Sequence, residues 1–176
     1  MKKFTFLIAA IITCSLCKAQ TTTTTESRDY SFFSAGIGFG TPYFGYGYTS
    51  SVPVNPTLTY EQTVADEITA GGELSYARNK LYDLSVNTVY VGARASYHFG
   101  ALMNLKSNLD IYGGVGAGYV IVNVSDDEGD SATASSGVGY GLYGGVKYYF
   151  AKSVGVYAEA GYQSLSYLNV GLAFKL

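Results

Sequence analysis

Cysteine is nearly absent from this 176-residue chain: there are two, Cys14 and Cys17, and both lie in the first seventeen residues. Charge is scarce too, at 14% of residues against roughly 25% in ordinary soluble domains. Histidine occurs once, as His98. A metal site or a catalytic dyad built on histidine needs partners, and the sequence sets none beside this one. Beyond the amino terminus no long apolar run occurs, so no membrane-spanning helix is expected. No basic cluster is present that could hold nucleic acid.

The amino terminus accounts for several of these absences. Lys2 and Lys3 form a positive leader, Phe4 to Leu16 is mostly apolar, and Cys17-Lys18-Ala19 places small residues where signal peptidase reads them. Residues 1–19 therefore read as a secretory signal peptide cleaved near Ala19, too short to span a bilayer as a helix. Neither cysteine follows the small-residue box that lipoprotein processing prefers. Cleavage removes both cysteines, so the mature chain has no thiol chemistry and no disulfide framework. It also removes three of the eleven basic residues and none of the thirteen acidic ones, leaving a net charge near −5. Residues 20–29, opening Gln-Thr-Thr-Thr-Thr-Thr, form a polar leader expected to be disordered. Residues 30–176 suffice for one domain.

What is abundant is glycine (22), tyrosine (18) and alternation. Side chains along a strand point to opposite faces with period two. The pattern predicts strands at about 30–41, 57–65, 68–78, 86–99, 109–123, 136–150, 154–164 and 167–176. In the last, Leu168, Val170, Leu172, Phe174 and Leu176 share one face, while Asn169, Gly171, Ala173 and Lys175 share the other. Eight such strands, an apolar face and a small, polar one, and little charge predict an all-β chain: an eight-stranded antiparallel up-and-down transmembrane β-barrel. With both termini in the periplasm, the connections near 66, 100–108 and 151–153 are periplasmic. Those at 42–56, 79–85, 124–135 and 164–166 are then extracellular.

Parity places five charges inside: Glu61, Glu73, Arg94, Lys147 and Glu159. Each lies three to five residues from the periplasmic end of its strand, so they are expected to share one layer. Unpaired buried charge is costly, and the expectation is a structural salt-bridge network rather than an ion path. Tyr90, Tyr112, Tyr143, Tyr149 and Tyr157 also point inward. An eight-stranded barrel has room for little beyond side chains, and the lumen is expected to be filled.

The stretches Gly-Gly-Glu-Leu-Ser-Tyr (71–76), Gly-Ala-Arg-Ala-Ser-Tyr-His-Phe (92–99) and Leu-Asp-Ile-Tyr-Gly-Gly-Val-Gly-Ala-Gly-Tyr (109–119), with the terminal strand, carry a resemblance. The chain resembles small eight-stranded outer-membrane barrels of the OmpA and OmpX kind, and looks like their Bacteroidetes-type members. Such barrels often end in an aromatic residue, whereas this chain ends in Leu176 with Phe174 two before it. The resemblance covers roughly Tyr30 to Leu176. It implies the outer membrane of a Gram-negative bacterium, lipid and lipopolysaccharide as surroundings, the barrel assembly machinery as a partner, and a monomer.

The remaining candidates are weaker. Asp126, Asp127, Glu128 and Asp130 could ligate a hard cation through carboxylate oxygens, but their spacing does not match a calcium loop. The glycine runs 36–40 and 113–118 lack the strand-to-helix context and the lysine of phosphate loops. His98 is expected at the periplasmic rim without partners. The expectation is accordingly no catalytic residue, no bound metal and no cofactor, with a structural or surface-interaction role. The alternatives are an adhesin-like binder acting through 42–56 and 124–135, a minor porin-like small-solute pore, and a soluble lipocalin-like carrier. The last would put apolar residues inside and polar ones outside.

Overall fold

The computed structural model describes residues 30–40, 54–81, 84–125, 131–163 and 165–176. Eight strands follow one another: β1 (Ser31–Phe39), β2 (Val54–Ala65), β3 (Ile68–Leu81), β4 (Leu84–His98), β5 (Leu109–Ser125), β6 (Ser131–Tyr149), β7 (Val154–Tyr162) and β8 (Leu168–Lys175). Each pairs antiparallel with the next, and β1 pairs with β8 to close the barrel. Closure leaves no continuous sheet edge to seek a partner. It is sealed by the ladder from Phe32↔Lys175 to Phe39↔Leu168 and by the amide of Leu176 donating to the carbonyl of Ser31 at 2.8 Å.

The two faces follow the alternation, with their polarity the reverse of a soluble protein's. Val138 is 75% exposed and Leu142 67%, whereas Glu61 and Lys147 are each 1% exposed. Aromatic residues gather at two levels of the outer wall. Near the termini Phe33 packs on Phe174 and Tyr97 on Phe99; near the other end Tyr140, Tyr162 and Tyr167 form a chain of ring contacts. On β6, Tyr140 and Tyr148 lie eight residues apart. At about 3.3 Å per residue and a tilt of about 40°, that separation is roughly 20 Å, close to the height of a barrel's apolar band.

Glycine makes room for tyrosine inside. A Cβ added to Gly145 would lie 2.6 Å from Cζ of Tyr112, one on Gly114 2.5 Å from Cζ of Tyr143, and one on Gly36 2.9 Å from Cζ of Tyr157. The five inward tyrosines are all buried. Gly114→Leu should therefore displace the Tyr143 ring and cost about 1–3 kcal/mol, as overpacked cores do. Urea unfolding of the refolded barrel measures it; an unchanged midpoint would mean that the ring has space to move.

The strands at the end away from the termini run further than the alternation suggests. Residues 131–135, expected in a loop, belong to β6 and pair with 122–125 across a bulge at Val122/Asn123. Residues 79–81 and 84–85, also expected in a loop, form the tip of a β3–β4 hairpin. Residues 54–56 extend β2, and Pro56 is accommodated because the β3 ladder starts only at Thr57. These segments lack a run of large apolar residues on one face, so they look like loops in the sequence. Residues 1–29, which include the expected signal peptide and leader, lie outside the described residues, as do 41–53 and the acidic run 126–130.

Candidate functional site

Arg94 sits on β4 directly opposite Gly71 of β3 and Gly116 of β5. With no side chain on either flank, its long side chain extends across the lumen. Its Nη2 meets Glu159 Oε1 of β7 at 2.6 Å, its Nη1 lies 3.5 Å from Glu73 Oε2, and its Nε lies 3.6 Å from Glu61 Oε2. Lys147 Nζ of β6 lies 3.9 Å from Glu61 Oε2. All five charges that parity places in the lumen thus join one cluster: three carboxylates meet the Arg94 guanidinium, and Lys147 joins through Glu61. Because β7 lies three strands from β4 around the barrel, the Arg94–Glu159 pair reaches across the bore.

Hydroxyl donors complete the carboxylates. Ser96 Oγ donates to Glu61 Oε1 at 2.6 Å, Ser75 Oγ to Glu73 Oε1 at 3.2 Å, and Tyr112 Oη to Glu159 Oε1 at 2.8 Å. The guanidinium also lies 4.2 Å from the centre of the Tyr143 ring. Lys147 Nζ, with no hydrogen-bond acceptor among the described residues, lies 4.6 Å from the Phe32 ring centre and 4.4 Å from that of Tyr112. Aromatic faces attract cations, so the ammonium is held by rings on two sides and a carboxylate on a third.

Towards the end away from the termini the bore is capped by the β7–β8 connection. Leu165 is buried against Ala77, Tyr90 and Val120. Asn55 Nδ2 donates to the carbonyls of Gly40 and Leu165, Asn169 Nδ2 donates to Gln163, and Ser166 Oγ donates to Asn169 Oδ1 at 3.0 Å. At the termini end the barrel opens instead into a vestibule of about 600 Å³, lined among others by Tyr30, Phe32, His98, Asp110, Tyr149 and Lys175. Lys175 Nζ lies 3.4 Å from the centre of the Tyr30 ring.

His98 forms the inner wall of this vestibule, and the expectation that it stands without partners is corrected here. Its ring is stacked between Phe32 at 5.5 Å and Tyr112 at 5.6 Å. Nδ1 lies 2.9 Å from both carboxylate oxygens of Asp110, and Nε2 lies 3.0 Å from Thr69 Oγ1. Thr69 in turn reaches Glu61 Oε1 at 3.1 Å. Asp110 shares parity with the inward Tyr112, so the alternation of β5 already carried the signal. It lies inside the strand expected at 109–123, and only its pairing with His98 across the β4–β5 register escapes the alternation. Among the described residues, no three histidine, cysteine, aspartate or glutamate side chains are placed to hold a metal ion. The acidic candidates Asp126, Asp127, Glu128 and Asp130 fall outside the described residues.

No family model matches the chain, and no curated protein matches it. Solved structures do. Neisserial surface protein A aligns with a TM-score of 0.59 at 15% identity, covering 84% of this chain and 96% of that one. The E. coli outer membrane protein W aligns at 0.55 with 15% identity, covering 86% and 100%. The Yersinia pestis outer membrane protein Ail, solved in a phospholipid bilayer nanodisc, aligns at 0.52 with 17% identity, covering 85% and 100%. At these identities the likeness is one of fold: this chain is a closed, all-antiparallel, eight-stranded β-barrel.

Proposed function

We propose that the chain is an integral outer-membrane β-barrel with a structural or surface-interaction role, a filled lumen and no catalytic chemistry. One observation carries the reading: the wall is apolar outside and charged inside, with aromatic residues at two levels about 20 Å apart. A soluble lipocalin-like barrel requires the reverse. The resemblance of residues 71–76, 92–99 and 109–119 to Bacteroidetes-type barrels points the same way, as does the outer-membrane location in the names of similar folds. Detergent extraction followed by gels of heated and unheated samples tests it. A membrane barrel shifts in mobility on heating, and a soluble one fractionates without detergent.

In this reading the termini and the vestibule face the periplasm, and the β7–β8 cap faces outward. Among the described residues, the Arg94 cluster below and the Leu165 cap above occupy the bore at two levels. Planar bilayers containing the purified protein are therefore expected to show no stable conductance; reproducible single-channel steps would establish the porin-like alternative.

The adhesin-like reading has one observation in its favour. Strands β3 to β6 project past the outer tyrosine level, with nine residues of β6 lying before Tyr140. That is about 30 Å of strand at 3.3 Å per residue, a surface built to stand clear of the lipid. Shortening the β3–β4 and β5–β6 hairpins, without loss of folding, should abolish cell-surface binding if these hairpins carry it.

A further inference from the structure

Charge is unevenly spread along the outside of the barrel. Among the described residues, every side-chain carboxylate lies in the lumen (Glu61, Glu73, Asp110 and Glu159) or in the β2–β3 turn at the termini end (Asp66 and Glu67). The charged residues beyond the outer tyrosines are Arg78 and Lys80, both cationic and both on β3. Ser75 and Ala77 are buried toward the lumen at 2% and 0% exposure, so the alternation turns positions 78 and 80 to the outer face. The acidic residues that the sequence sets near this end, Asp83 and the run 126–130, fall in connections outside the described residues.

Residues directly opposite each other in an antiparallel ladder share a face, and the register spreads this polar surface over four strands. One row runs Arg78–Asn87–Asn123–Thr133 from β3 to β6, and the next runs Lys80–Ser85–Ser125–Ser131. The row before them, Tyr76–Val89–Ile121, is apolar or aromatic. The wall therefore changes from apolar to polar within one step of the ladder. Arg78 is exposed and lies two residues beyond Tyr76, about 5 Å further out at 3.3 Å per residue and a tilt of about 40°. Tyr76 also prepares the first row. Its Oη donates to Asn87 Oδ1 at 2.8 Å, which leaves the N–H donors of that amide for an outside acceptor, directly opposite Arg78.

We propose that this face of β3–β6 binds the phosphate of a glycolipid headgroup in the outer leaflet, with Arg78 and Asn87 as its anchors and a second cation at register position 80. A guanidinium presents a planar fork of donors that matches phosphate oxygens. Amides and hydroxyls in the same two rows, with no carboxylate among them, suit the sugar that carries the phosphate. A lipid whose acyl chains lie along the apolar wall below Tyr76 sets its headgroup at this height. The inference rests on the membrane reading given above, and it adds the side of the barrel on which a lipid is held.

The test compares the protein in two kinds of phosphatidylcholine vesicle, one carrying diphosphoryl lipid A and the other the same lipid stripped of both phosphates. The rate of urea unfolding, followed by circular dichroism, is the readout. The phosphorylated lipid is expected to slow unfolding about tenfold, the equivalent of one hydrogen bond to a charged group. Arg78→Gln combined with Lys80→Gln should bring the two rates together, whereas Lys152→Gln, which removes an exposed cation from the β6–β7 turn, keeps them apart. Should the double variant not refold, Arg78→Gln alone gives the same reading. Equal rates for wild type, or a difference that survives the double substitution, would overturn the proposal. Inorganic phosphate added to plain phosphatidylcholine vesicles should not slow unfolding; if it does so as strongly as the lipid, the site takes free phosphate and the headgroup assignment fails. Failure of the membrane reading looks different, because the chain then inserts into neither kind of vesicle.

Discussion

Arg94→Ala is expected to remove about 3–5 kcal/mol of unfolding free energy, the loss that follows when one partner of a buried ion pair is deleted. Glu61, Glu73 and Glu159 lose their shared cation, and the arginine's hydrogen bond to Glu159 at 2.6 Å disappears with it. Lys147 cannot take over: it lies 3.9 Å from Glu61 and, among the described residues, forms no ion pair with the other two carboxylates. Equilibrium unfolding in bilayers measures the loss. The same measurement on Arg94→Met with Glu159→Gln and Glu73→Gln should recover much of it, because replacing a whole buried network with neutral groups costs far less than orphaning part of it. A loss under about 1 kcal/mol for Arg94→Ala would mean that water reaches the carboxylates and the lumen is not sealed around them.

The second large effect is expected outside the barrel. Val115 lies mid-wall on β5, between Ala95 and Leu142 on the flanking strands, and points away from the lumen. Val115→Arg should cost about 2–4 kcal/mol in a bilayer, and the same change at Val138, two residues beyond Tyr140 on β6, only about 0–1. The valines are both exposed, at 57% and 75%, so the difference between them measures the lipid and not the protein. In a soluble barrel the two substitutions would cost about the same, and that outcome would remove the membrane reading.

Much of this architecture is legible in the sequence because a closed antiparallel barrel repeats one simple rule eight times. Parity alone brings Glu61, Glu73, Arg94, Lys147 and Glu159 to one face, and a narrow bore forces residues on one face at one height to meet. Parity is silent where the rule lapses. Residues 79–81, 84–85 and 131–135 extend the ladder without a run of large apolar residues on one face, so they carry no pattern. His98 looked solitary because its partners Thr69 and Asp110 are 29 residues before it and 12 after it. Only the register between β3, β4 and β5 sets them together. The cap built on Asn55, Leu165 and Asn169 had no signal at all, since it depends on how a short connection folds back into the bore.

The closing ladder between β1 and β8 bears on the order in which this chain can fold. Seven of the eight strand pairs join neighbours in sequence and can form as hairpins soon after both strands are present. The eighth joins Phe32 to Lys175 and Ser31 to Leu176, so it spans nearly the whole chain and carries the largest loop-closure entropy of the set. Until the last ten residues arrive, β1 has one bare edge and the interior charges have an incomplete wall. The slow step of folding should therefore be the final zipping of the carboxyl-terminal strand, and a chain that ends short of it would remain an open sheet.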